Sequence, residues 1–231
     1  MSVYRTCLNH FLILSFLVLL FLLFPIASFA QTAPELFITW QAKNFTPAGY
    51  LGKTLPIRKT VIDAALELID GGRLIDLRNK EIRWFVNGGF HKSGLGLKTT
   101  SFTVSELSGD DQALTAQIIN YRGKDRRKTV VVPLAKPELI IDTPSQNKFV
   151  AAGLNNFRAL PYFFNIRQLR QLSFVWKVNE QSTSGNVQDP DLLELEIAGG
   201  EPGTEISLTV HATNKLDPLE AARELINLEI K

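Results

Sequence analysis

Apolar residues in this chain fall mostly at every second position. Ile82, Trp84 and Val86 alternate with Arg83, Phe85 and Asn87, and Phe174, Trp176 and Val178 alternate with Val175, Lys177 and Asn179. Phe102 and Val104 follow the same period, as do Leu114, Ala116 and Ile118, then Leu193, Leu195 and Ile197, then Ile206, Leu208, Val210 and Ala212. A period of two sends successive side chains to opposite faces, so these segments predict half-buried strands of antiparallel sheets. Turn residues separate them: Asp70-Gly71-Gly72, Asn87-Gly88-Gly89, Ser108-Gly109-Asp110 and Gly199-Gly200-Glu201-Pro202-Gly203. Residues 61–69 mix Ala and Glu with β-branched residues, and their place between strand-like segments assigns them to a strand. Asp217-Pro218-Leu219-Glu220-Ala221-Ala222-Arg223-Glu224-Leu225 reads differently. An N-cap Asp, a first-turn Pro and good helix formers predict a helical turn or two there, before a last strand near 226–230.

Two short matches recur in order. Pro34-Glu35-Leu36-Phe37-Ile38 returns as Pro137-Glu138-Leu139-Ile140-Ile141. Ile82-Arg83-Trp84-Phe85-Val86-Asn87 returns as Phe174-Val175-Trp176-Lys177-Val178-Asn179. Matching landmarks in matching order imply a duplication. The first copy is longer between its landmarks, and the loop-like stretch 44–53 can supply most of the excess. The boundary falls near Lys136, inside the proline-flanked connection Pro133-Leu134-Ala135-Lys136-Pro137. The expected organisation is an N-terminal segment at 1–30, a first domain at 31–136 and a second at 137–231.

The segment 1–30 has its own pattern. Arg5 is its only formal charge, 11–24 is an almost unbroken apolar run, Pro25 follows, and Ala27-Ser28-Phe29-Ala30 places small residues before Gln31. That order is that of a secretory signal peptide, and an uncleaved anchor helix is the alternative. Cys7 is the only cysteine. After cleavage the body has none, so disulfides and Cys-based chemistry are excluded and each domain must be stable through its core. The expected location is extracytoplasmic: secreted or associated with the cell envelope.

On these residues the chain resembles the immunoglobulin-like and PKD-like sandwiches of bacterial surface proteins. Glu205-Ile206-Ser207-Leu208-Thr209-Val210-His211-Ala212-Thr213-Asn214 is similar to the penultimate strand of PKD-like domains. Ile82-Arg83-Trp84-Phe85-Val86-Asn87-Gly88 is similar to the strand that carries the core Trp of immunoglobulin-like domains. The chain departs from the PKD pattern after each Trp, where Val86-Asn87-Gly88 and Val178-Asn179-Glu180 replace an acidic Gly-containing turn. It also lacks the inter-sheet Cys pair of antibody domains. The resemblance spans both copies and implies an all-β fold: two tandem immunoglobulin-like antiparallel β-sandwich domains after an N-terminal signal helix.

Charge narrows the function classes. The 25 Lys+Arg and 23 Asp+Glu give a formal charge of +2, which argues against a nucleic-acid binder. No catalytic motif is present: no Gly-x-Ser-x-Gly, no His-Glu-x-x-His and no phosphate-cradling loop before a helix. His91 is expected in a loop at 88–94 and His211 on the polar side of a strand, both as surface residues. No cofactor is expected. The acids Asp110-Asp111, Asp142 and Asp189-Pro190-Asp191 lack calcium-ligand spacing, although converging loops could still form such a site. Trp84 and Trp176 share a face with apolar neighbours, which makes them core residues rather than a carbohydrate platform. Candidates for a partner surface are Trp40, at the end of the first strand, and members of the aromatic cluster Phe157, Tyr162, Phe163 and Phe164. The run Lys124-Asp125-Arg126-Arg127-Lys128 reads as a solvated hairpin tip. Its cations Arg126 and Arg127 are further candidates, with an acidic polymer or anionic lipid as the minor alternative. Asn44-Phe45-Thr46 fits a glycosylation sequon. The reading is a non-enzymatic envelope protein acting through protein–protein interaction or assembly. The alternatives are a carbohydrate-binding accessory module and a membrane-tethered ectodomain of a secretion or pilus apparatus. The partner is an unidentified envelope protein or polysaccharide, with membrane contact only through an uncleaved N-terminus.

Overall fold

The computed structural model describes residues 33–105, 109–145 and 147–231. The export segment expected at 1–30, with Cys7, lies outside the described residues.

The first half carries β1 (Glu35–Ala42), β2 (Val61–Asp70), β3 (Arg73–Leu74), β4 (Glu81–Val86), β5 (Gly89–Leu95), β6 (Thr99–Thr103), β7 (Gln112–Tyr121) and β8 (Lys124–Val132). β2 pairs with β1 on one side and β6 on the other, with β3 folded back on its end. The second sheet runs β5-β4-β7-β8. The second half carries β9 (Glu138–Asp142), β10 (Phe149–Val150), β11 (Gly153–Tyr162), β12 (Leu172–Val178), β13 (Gln181–Thr183), β14 (Leu192–Ile197), β15 (Glu205–Asn214) and β16 (Asp217–Ile230). Its sheets are β9-β11-β14 and β10-β16-β15-β12-β13, and a single 3-10 turn at Leu169–Gln171 precedes β12. The strand orders match between halves. β1-β2-β6 corresponds to β9-β11-β14, and β5-β4-β7-β8 to β13-β12-β15-β16. Apart from β10, which joins β16 in parallel, these pairs are antiparallel. The fold is all-β: two tandem immunoglobulin-like antiparallel sandwiches.

Alternation explains the packing. Leu36, Ile62, Ala64, Leu66 and Leu68 face Ile82, Trp84, Leu114, Ala116 and Ile118 across the first sandwich. Phe157, Ala159 and Leu193 face Leu172, Trp176, Leu208, Val210 and Leu228 across the second. The two apolar clusters divide the chain between Val132 and Leu139.

The repeated Trp-x-x-Asn has the same geometry in both halves. Trp84 Nε1 donates to the Leu97 carbonyl at 2.9 Å, and Trp176 Nε1 to the Pro190 carbonyl at 3.1 Å. Each indole is thereby buried with its one donor satisfied. Asn87 and Asn179 both adopt left-handed backbone, at φ 50 and 48. Each closes the turn after its Trp strand and clamps the start of the neighbouring strand. Asn87 N–H donates to Ala113 O and Ala113 N–H to Asn87 Oδ1; Asn179 and Ser207 exchange the same two bonds. Asn suits this place because it tolerates the left-handed region and offers an amide oxygen to the backbone.

Three local expectations are corrected. Residues 217–225 are strand, not helix: β16 pairs with β15 from Asn214↔Asp217 to Glu205↔Glu229. The ladder and the burial of Glu220, Ile226, Leu228 and Ile230 override the helix propensity of Ala and Glu. Pro218 sits beside the register shift at Thr213/Asn214, where a missing N–H costs little. The basic run 124–128 is not a hairpin tip but the first part of β8; the turn falls at Arg122-Gly123, with both residues at positive φ. Residues 88–94 are likewise mostly strand, so His91 lies on β5.

Candidate functional site

The outer face of β5-β4-β7-β8 carries an aromatic pair, half-buried Phe85 and exposed Phe90. Phe85 is one residue out of phase with the buried Trp84 and points away from the core. It pairs in register with Phe90 beside the bulge between Trp84 and Phe85. The rings meet edge to face, with centroids 6.0 Å apart and planes at 78°. Phe90 is 65% exposed. Arg127, from β8, places its guanidinium carbon 5.5 Å from the Phe85 ring centroid. Exposed Val131 and Leu95 extend the apolar surface along the same sheet. Arg83 adds a second guanidinium, paired with Glu81 at 2.7 Å.

The other candidate residues are dispersed. Phe157 is fully buried in the second core and Phe163 is 6% exposed, so neither offers a free surface. Alternation along β11 sends Phe157 inward with Ala159, and Phe163 lies in the seam between the sandwiches. Half-buried Tyr162 is also there, with its ring 5.5 Å from Tyr50. Trp40 is half-buried at the edge of the first core, and Lys53 Nζ lies 3.4 Å from its ring centroid, covering that face. Trp84 and Trp176 are fully buried. Arg127 is on the aromatic face, whereas Arg126, its neighbour on β8, turns toward the gap between the two sheets.

The seam is built by the long loop 43–60 between β1 and β2. Phe45 N–H donates to Phe164 O at 2.7 Å and Phe163 N–H to Phe45 O at 2.8 Å, an isolated antiparallel bridge between the halves. The Phe45 ring packs against the second core. Asn44 Nδ2 donates to Leu55 O at 2.7 Å and Phe163 O at 3.1 Å, so the sequon amide is already engaged. Phe163 has φ 63, a strained value that these bonds hold in place. Asn165 accepts from Thr60 Oγ1 at 2.6 Å and donates to Arg58 O at 2.8 Å and to Glu220 Oε2 at 3.2 Å. Its own N–H donates to Glu220 Oε1 at 2.5 Å. Burial raises the Glu220 carboxyl above the usual glutamate range, against the opposing pull of the Asn165 and Asn214 hydrogen bonds. Lys59 and Asp217 pair across the seam at 2.9 Å, which lowers the Asp217 pKa. A cleft of about 710 Å³ remains beside this network, lined by Ile57, Lys136, Leu219 and Ala221 among others.

Several other polar groups are used within the fold. Asp191 pairs with Arg158 at 2.5 Å, and Asp111 accepts from Leu134 N–H at 3.0 Å. Buried Asp70 takes the Tyr121 hydroxyl at 2.6 Å and Arg122 at 2.9 Å; the Asp70 hydrogen bond is the chief cause of a raised Tyr121 pKa. His91 and His211 are both exposed, and His91 Nε2 lies 3.0 Å from Ser101 O. Among the described residues, no group of three or more His, Cys, Asp or Glu side chains is placed to hold a metal ion.

No family model matches the chain, and no curated protein matches it. Among solved structures it is similar to the fibronectin(III)-like modules of Clostridium thermocellum CbhA: 14% identity over 84% of this chain and 93% of that one, TM-score 0.30. It is also similar to the insect immune protein hemolin: 16% identity over 82% of this chain and 47% of that one, TM-score 0.29. A third is the C-terminal 282-residue fragment of intimin, in a structure with the intimin-binding domain of its translocated receptor: 11% identity over 82% and 63%, TM-score 0.30. The fold assignment rests on the strand order and register of the chain itself.

Phe85 and Phe90 escaped the sequence reading. A signal for Phe85 was present: it follows a core Trp by one residue, and a strand turns such a residue outward. Phe45 and Tyr50 gave none, because a loop has no period from which to infer a face.

Proposed function

We propose that this chain is an exported, non-catalytic cell-envelope protein that acts by binding another protein through the outer face of β5-β4-β7-β8. The Phe85–Phe90 pair carries this reading. An outward aromatic pair, with Phe90 exposed and Phe85 flanked by arginine, lies outside the core, and it has the composition of an interface anchor. The signal-peptide-like pattern of 1–30 supports export. The clasp at the seam supports a role in which both sandwiches move as one unit.

A photo-crosslinking residue at position 90, in cells carrying the full chain, tests the surface. The expected result is a discrete adduct that disappears with Phe85→Ser and is absent when the crosslinker stands at the exposed Val187 of the second half. Absence of an adduct at position 90, or the same adduct from 187, would remove this face from the function. The N-terminal mass of the exported protein tests processing: a chain beginning at Gln31 indicates cleavage, and an intact Met1 a tether.

A further inference from the structure

The opposite edge of the first sandwich holds a second, chemically distinct feature. β1 ends the β1-β2-β3 path and β8 ends the β5-β4-β7-β8 sheet, and the two edge strands border a cleft of about 660 Å³. One wall is Pro34, Glu35, Leu36 and Phe37; the other is Asp125, Arg126, Arg127 and Lys128. Among the described residues, β8 makes its ladder to β7 alone, and its outer row of N–H and C=O groups has no ladder partner between Lys124 and Val132, although β1 lies close by. Arg126 pairs in register with the buried Ile118 and so turns into the gap. Its Nε is buried and has no hydrogen-bond partner. A buried charged donor without an acceptor is costly, and a carboxylate is the acceptor that fits a guanidinium best. The acids already in the cleft do not supply it. Asp125 accepts from Gln117 Nε2 at 2.9 Å and from Asn120 N–H at 2.9 Å, and no hydrogen bond joins Glu35 to Arg126 Nε.

We infer that this edge receives an extended acidic peptide from a partner protein, which adds a strand to β8 and presents a carboxylate to Arg126. The cationic edge repels a second copy of itself and gains nothing from a neutral strand, which leaves an acidic one. The chain's own leading segment is excluded as occupant, because no acid precedes Glu35. This inference rests on the wider reading of the chain as an interaction protein but uses the edge of β8 rather than the Phe85–Phe90 face, Arg127 standing at the border of both.

The test is binding of a labelled ten-residue peptide of alternating Glu and Val to the purified protein. Three comparison ligands are needed: its Gln-for-Glu version, its version N-methylated at alternate amides, and polygalacturonate. The expected result is binding by the acidic peptide alone, with new hydrogen-exchange protection confined to the β8 amides. Arg126→Gln should weaken that binding by about ten- to a hundredfold, the effect of losing one charge-assisted hydrogen bond. The protection pattern is read on the unaltered chain, so it decides the matter even if Arg126→Gln disturbs folding. Equal binding of the N-methylated peptide or the polysaccharide would overturn the strand-pairing model, and protection outside β8 would overturn the site. If the peptide fails while the position-90 adduct persists, this edge is wrong and the wider reading stands.

Discussion

At the scale of single residues, the repeated Asn does more than close a turn. Asn87 and Asn179 sit in left-handed backbone and return a side-chain bond to the adjacent strand. Replacing either with Ala adds about 1 kcal/mol of backbone strain and removes a hydrogen bond worth about 1 kcal/mol. Urea unfolding of Asn87→Ala and Asn179→Ala should therefore show losses of about 2 kcal/mol each. Gly should cost roughly half as much, since it keeps the backbone and loses only the bond. Equal losses for Ala and Gly would mean that the left-handed conformation carries no weight. Glu220 supplies a pH dependence. Its pKa is raised by burial, so the folded state holds this proton at pH values where the unfolded chain has released it. The stabilisation is complete below the ordinary glutamate range and is lost as pH rises through the raised value. Asp63, whose pKa is lowered chiefly by Lys43, acts in the opposite sense and loses its contribution on acidification. The curve of wild type minus Glu220→Gln should isolate the first effect as a fall with rising pH. A flat difference would place the Glu220 carboxyl outside the folding equilibrium.

At the scale of elements, the loops that receive the two indoles are as constrained as the strands. A Cβ on Gly185 would lie 2.9 Å from Pro190 O and 3.1 Å from Trp176 Cδ1, and a Cβ on Gly96 would lie 2.8 Å from Arg78 O. Gly185→Ala should destabilise the second sandwich by about 1–3 kcal/mol, the cost of overpacking a filled site. It should also shift Trp176 fluorescence as the Pro190 bond lengthens. An unchanged midpoint and spectrum would show that this loop yields freely. β16 shows the reverse limit of local inference. Ala221, Ala222 and Glu224 favour a helix when read alone, and only the full pairing with β15 makes them strand. β2, with similar Ala and Glu content, read correctly from its place between strand-like segments, and in the fold Ile62, Ala64, Leu66 and Leu68 share its buried face.

At the scale of the molecule, the 43–60 loop converts two adjacent sandwiches into a joined pair. Phe45 packs against the neighbouring core and Asn165 ties Arg58, Thr60 and Glu220 together. Thermal unfolding of the native chain should be a single cooperative transition. The double variant Phe45→Ala with Asn165→Ala should separate it into two, because truncating the half-buried Phe45 removes about 1.5–3 kcal/mol of apolar burial at the seam and the second change removes the polar ties. Two transitions already present in the native chain would show that the clasp does not couple the halves.

The sequence by itself determined the strand faces, the duplication, the two core tryptophans and the class of fold, because a period of two and repeated landmarks are local properties of the chain. The basic run 124–128 read as a turn because its charges hide the strand period that its pairing with β7 reveals. Only the tertiary structure decided that Phe157 and Phe163 are enclosed, that Lys53 covers Trp40, and that 217–225 is a strand. It alone brought Phe85, Phe90 and Arg127 onto one face and left the buried Nε of Arg126 without a hydrogen-bond partner at an edge. These outcomes depend on which strands become neighbours. That choice is made by burial summed over the whole sandwich, which no local pattern encodes.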